Sequence, residues 1–146
     1  MELTQTAPEE NPKQIANRLL AASGVVALIG GSAAVAYFDP TKTHMFPVCP
    51  LLAVTGFACP GCGLTRAFHA LFNGDLVTAI DFNLLTPMWA VIFGYLAVSF
   101  TLTAVRSKGL PMWPTNPKFL AIAAAVLLTF GVLRNIPAYP FTILFP

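Results

Sequence analysis

Leu19-Leu-Ala-Ala-Ser-Gly-Val-Val-Ala-Leu-Ile-Gly-Gly-Ser-Ala-Ala-Val-Ala-Tyr-Phe38 is a run of 20 residues without a charge. A helix rising 1.5 Å per residue reaches about 30 Å over that length, the thickness of the hydrocarbon core of a bilayer. Two further runs repeat the signal: Pro87 to Val105, with 19 uncharged residues, and Phe119 to Leu133, with 15. The last is short for a span, and Lys118 and Arg134 at its ends are expected to snorkel to the headgroups and lengthen it. The fold expected is all-α and integral to a membrane. Three transmembrane helices are placed at about 19–38, 87–105 and 117–136. Only 10% of the residues are charged, against about 25% in a soluble domain. The net charge of +2 is too small to argue for nucleic acid as a partner.

The flanks complete the outline. Residues 1–12 are polar and acidic and read as a disordered tail, leaving 13–146 as a single membrane domain. The tail lacks a basic region, and Asp39-Pro40 rather than a cleavage site follows the first run, so that run reads as a retained span. Ser23, Ala27 and Gly31, and likewise Gly30 and Ala34, have the spacing that lets two helices approach closely. Trp89 and Trp113 are candidate interfacial anchors. Lys13, Arg18, Arg106, Lys108 and Lys118 fall on one side of a three-helix protein, against Lys42, Arg66 and Arg134 on the other. That bias puts the N-terminus in the cytoplasm and the loop between the first two helices on the outer face of the cell membrane.

That loop, residues 39–86, holds all three cysteines and both histidines. Leu51 to Ala58 is apolar but too short to span, and reads as a re-entrant or interfacial piece. In Cys59-Pro60-Gly61-Cys62-Gly63 the proline fixes one φ and the glycines permit a tight turn that brings two thiols together. A helix should follow. Leu64, Ala67, Phe68 and Leu71 share its apolar face, and Arg66, His69 and Asn73 the polar one. Asn73-Gly74 ends it, Asp75 caps a second short helix from Leu76 to Phe82, and Asn83 closes that one. Both short helices are expected to be amphipathic and to lie along the membrane surface or against the spans.

Cys49-Pro50, Cys59-Pro-Gly-Cys-Gly-Leu-Thr-Arg-Ala67, Leu71, Gly74-Asp75, Ala79 and Asn83 together resemble a family of small bacterial membrane proteins. That family is a domain of unknown function with a C-P-x-C-G-x-T-R-A signature between hydrophobic helices, and the resemblance covers residues 47–86. Some of its members look like accessory subunits of actinobacterial respiratory oxidase assemblies. The resemblance therefore implies a structural or assembly role and no reaction.

The residues allow several chemistries. Cys59 and Cys62 have the spacing of a redox pair, with a helix N-terminus and Arg66 to favour the thiolate. Cys49, Cys59, Cys62 and a histidine, His69 or His44, would make a Cys₃His zinc set. Cys49 paired with Cys59 or Cys62 would make a structural disulfide. Arg66 is expected to pair with Asp75 or Asp81, or to hold a lipid phosphate, and Thr65 to bond within the turn. No Ser-His-Asp pattern, glycine-rich phosphate loop or carboxylate dyad occurs, and no span carries an ionisable residue at its centre. The expectation is a non-catalytic accessory or assembly subunit of a larger membrane complex, respiratory or otherwise energy-converting, with other membrane subunits and lipids as partners. No cofactor is required by that role. The alternative is a membrane thiol-redox or zinc-binding protein working through Cys59 and Cys62.

Overall fold

The computed structural model describes residues 11–43, 46–111 and 117–145, so the expectations for His44, Trp113 and residues 1–10 lie outside the described residues. Among the described residues the chain forms six α-helices and one 3₁₀ turn, Phe141–Leu144, without a strand. Helix α1 is Pro12–Tyr37. Asn11 accepts the Lys13 N–H at 3.1 Å, and Pro12 takes the first helical position, where its missing donor costs nothing. The helix thus starts well before the uncharged run at Leu19: Asn11 and Pro12, read as the end of a disordered tail, instead begin it, and Lys13 and Arg18 ride on its first turns. Helix α5 is Thr86–Arg106, stopped by Ser107 in the left-handed region. Helix α6 is Pro117–Leu133, and residues 134–136 lie beyond its last turn.

Helices α1 and α5 are long and apolar enough to cross a membrane, with mean hydropathy 2.0 and 1.8; α6 is apolar but shorter. The two long helices pack antiparallel. Near one end the Arg18 Nε–H donates to the Ala104 carbonyl at 3.1 Å. Further along, a Cβ on Gly24 would sit 3.0 Å from the Phe100 ring. The close approach is therefore made at Gly24. A Cβ on Gly30 or Gly31, in the small-residue stripes, would meet nothing within 4 Å.

Between α1 and α5 lie three short helices: α2 (Pro50–Thr55), α3 (Leu64–Phe72) and α4 (Leu76–Phe82). Asn73 and Gly74 separate α3 from α4, and the Asp75 carboxylate caps α4 by accepting the Thr78 N–H at 3.0 Å. The cap holds the Asp75 carboxyl below its usual range, the Thr78 hydrogen bonds being the cause. Of the two expected placements α3 takes the one against a span, with His69 and Asn73 of its polar face bonded to the end of α1. His69 Nδ1–H donates to the Val35 carbonyl at 2.7 Å, and Asn73 Nδ2 reaches the Ala36 carbonyl at 3.4 Å. Phe68 meets Phe93 edge-on at 5.5 Å, which joins α3 to α5, and Trp89 stacks on Phe93 one turn away along α5 at 6.1 Å.

The interior is the reverse of a soluble protein's. Its buried apolar residues are Ala21, Ala58, Cys62, Ala67, Ala70, Ala79 and Phe130, mostly alanines where the short helices meet. Its largest fully buried side chains are Arg134, Asn83 and Thr86. The bulky apolar side chains point outward: Leu19, Val26 and Ile29 on α1, Val91 and Val105 on α5, and Ile122 and Leu128 on α6 are each more than 60% exposed.

Candidate functional site

The site is the elbow between α2 and α3. Pro50 starts α2 and Gly56, at φ 74°, ends it, which turns the chain back toward Cys59. The Cys62 N–H donates to the Cys59 carbonyl at 3.0 Å and the Leu64 N–H to the Gly61 carbonyl at 3.1 Å, closing the turn. Of the two motif glycines, Gly63 carries the conformational demand: its φ of 81° is left-handed and its carbonyl begins α3. Gly61 is free of that demand, since a Cβ there would touch only the Cys59 sulfur at an ordinary 3.9 Å.

The turn gathers the three thiols. Cys59 Sγ stands 3.3 Å from Cys49 Sγ and 3.2 Å from Cys62 Sγ. All three sulfurs lie within 4.8 Å of one another. The cysteines are free thiols, and Cys62 is buried while Cys49 and Cys59 are partly exposed. Their environments differ. The Leu52 amide in the first turn of α2, helped by the Cys59 thiol, pulls the Cys49 thiol down to about 7. Burial first, then the neighbouring thiols, pushes Cys62 up to about 12. Three sulfurs around one zinc ion at about 2.3 Å would stand about 3.8 Å apart. The cluster fits such an ion after its sulfurs spread by about half an ångström.

Side chains from distant positions support the backbone of the elbow. Asn135 accepts the Ala58 N–H and donates to the Ala58 carbonyl, each at 2.8 Å. Asn83 Nδ2 donates to the Pro60 and Cys62 carbonyls at 2.9 and 3.1 Å, while its Oδ1 accepts the Leu85 N–H at 2.9 Å. Arg134 Nη1 donates to the Cys59 and Cys62 carbonyls at 2.8 and 3.2 Å. Thr86 ties the base of the elbow by donating to the Ala79 and Asn83 carbonyls. Buried backbone groups need partners, and here side chains supply what no helix or sheet does. Pro60 seats against α6 at Gly131, where a Cβ would come within 3.2 Å of its ring.

Several expectations are corrected. Arg134 does not snorkel: it is 1% exposed and turned into the elbow, with the Phe130 ring 5.0 Å from its guanidinium. Arg66 pairs with neither Asp75 nor Asp81; it lies over the Phe82 ring at 5.8 Å. His69 is outside the sulfur cluster, bonded to α1. Thr65 lines the apolar groove of about 570 Å³ between α1, α3 and α5. The supporting roles of Thr86, Arg134 and Asn135 were missed. Their signal was present: Gly131, Arg134 and Asn135 follow the spacing of one helix face at the end of an apolar run.

No curated protein and no solved structure matches the chain. Residues 49–97, the elbow with its short helices and the first half of α5, match the model of a family described as a protein of unknown function (DUF2752).

Proposed function

We propose that this chain is a non-catalytic, membrane-embedded subunit that packs against other membrane proteins, and that its elbow is a structural zinc centre. The observation that carries the reading is the use made of the buried polar side chains. Asn83, Arg134 and Asn135 all bind the backbone of the elbow. Such an arrangement holds a shape. The outward apolar faces of α1, α5 and α6 support insertion among lipids and helices of a larger complex, respiratory or otherwise energy-converting. The lysine and arginine bias supports an elbow on the outer side of the cell membrane. Extraction in mild detergent followed by mass spectrometry tests the role: co-purifying membrane subunits are expected, and a free monomer overturns it. Metal analysis of the same material should find one zinc per chain.

A second reading rests on the 3.2 Å between Cys59 and Cys62 sulfurs. A membrane dithiol that exchanges with a partner's disulfide, becoming oxidised as the partner is reduced to two thiols, would use this pair. Thiol counts before and after reduction separate the two: metal-free protein with one reversible disulfide favours the redox pair, and three thiols with bound zinc favour the structural centre.

A further inference from the structure

We infer that Arg134 is the built-in counter-cation of a three-thiolate centre, which fits the elbow to a divalent metal held by Cys49, Cys59 and Cys62 together. The inference rests on the zinc reading above and adds to it the charge state of the site and the residue that sets it.

Arg134 comes from the far end of the chain, 72 residues beyond Cys62. Its guanidinium is charged at any accessible pH. It is 1% exposed, yet among the described residues it makes no ion pair with a carboxylate. One nitrogen, Nη1, is used on the Cys59 and Cys62 carbonyls. The other two, Nε and Nη2, are buried with no hydrogen-bond partner. An isolated buried charge is strongly unfavourable, so a compensating anion is expected close by. Two of the three gathered sulfurs belong to Cys59 and Cys62, the residues whose carbonyls Arg134 holds, so thiolates of this cluster can supply that anion.

Holding carbonyls does not require that charge. Asn83 and Asn135 bind carbonyls of the same elbow with neutral amides. A guanidinium at the third position does something an amide does not. Three neutral thiols would leave it uncompensated. Three thiolates around a divalent ion carry one net negative charge, and Arg134 cancels it. Three thiolates leave a tetrahedral ion one further position, open to water or to a ligand from outside the cluster.

The test uses the full-length chain, reduced and purified in detergent, with Co²⁺ and Zn²⁺ as probes. Wild type should bind one Co²⁺ with sulfur-to-cobalt charge-transfer absorption in the near ultraviolet. R134Q keeps an amide for the carbonyls and removes the charge, and should weaken Co²⁺ binding by about 10- to 100-fold. R134K keeps the charge and should stay closer to wild type than R134Q does. Wild-type binding by R134Q, or weaker binding by R134K than by R134Q, overturns the inference while leaving the zinc reading intact. A wild type that takes up neither ion overturns both. Where R134Q fails to fold, arginine-selective ¹⁵N spectra of the wild type decide: Zn²⁺ should shift the Arg134 Nε–H signal and leave that of Arg106 in place. An unmoved Arg134 signal on a zinc-loaded protein overturns the counter-cation role.

Discussion

Replacing Asn83 with alanine should open the elbow from its base. Asn83 is 1% exposed and makes three hydrogen bonds to backbone: two given, to Pro60 and Cys62, and one accepted, from Leu85. The three losses are unequal. The Cys62 carbonyl keeps Arg134 as a donor, so its loss is small. The Pro60 carbonyl and the Leu85 N–H have no second partner among the bonds seen here, and each becomes a buried unsatisfied group. Each such orphan costs about 1–3 kcal/mol, so Asn83→Ala should destabilise by about 3 kcal/mol. Asn83→Asp is the sharper probe. Its near-identical shape keeps the Leu85 bond but sets a carboxylate oxygen against two carbonyl oxygens, so it should be at least as damaging above pH 5. The assay is denaturant unfolding in detergent, followed by helical circular dichroism and by the rate at which Cys62 reacts with a maleimide. If Asn83→Asp unfolds like wild type, or Cys62 stays as protected as before, the assignment of Asn83 as the base of the elbow is wrong.

Other expectations follow from the same geometry. In metal-free, reduced protein Cys49 should alkylate first, its rate rising through about pH 7 as the thiolate forms, while Cys62 stays inert until strongly alkaline pH; mass-mapped iodoacetamide labelling against pH checks the order. The sign for stability follows. The lowered Cys49 pKa favours the folded state as pH rises from about 7 toward 9, and the raised Cys62 pKa weakens it above about 9, where only the unfolded thiol ionises. Gly63→Ala forces a side chain into a left-handed φ of 81° and should cost about 1–2 kcal/mol in the same unfolding assay. His69→Ala should cost about 1 kcal/mol through the lost bond to Val35 and leave Co²⁺ stoichiometry unchanged, whereas Cys49→Ser should reduce the cobalt–sulfur absorption by about a third.

The elements legible in the sequence are those with local causes. Pro87 in the first turn of α5, the Asp75 cap and the Asn73-Gly74 break each depend on neighbours a few residues away, and each lies where its chemistry puts it. The convergence of the thiols was legible for the same reason, since Cys59 and Cys62 share one turn. Arg134 was not, because an arginine at the end of an apolar run has two low-energy fates. It can reach toward headgroups or turn back to bind carbonyls, and only the position of the elbow decides between them. Arg66 was misread in the same way. A carboxylate nearby in sequence suggested a pair, yet Asp75 faces its own helix and Phe82 offers the nearer surface. The start of α1 was placed late because charge, which limits an apolar run, does not limit a helix once Asn11 and Pro12 have begun it.

The cysteine turn is made early in translation and finished late. Cys59 leaves the ribosome 75 residues ahead of the arginine that covers its carbonyl, and Asn135 follows directly after. Until the end of α6 emerges, the carbonyls of Ala58, Cys59 and Cys62 in a nascent chain stand without these side-chain donors. Formation of the elbow is thereby tied to synthesis of α6 and the two residues that follow it, and a chain cut short before Gly131 would carry the turn without Arg134 and Asn135 to hold its backbone.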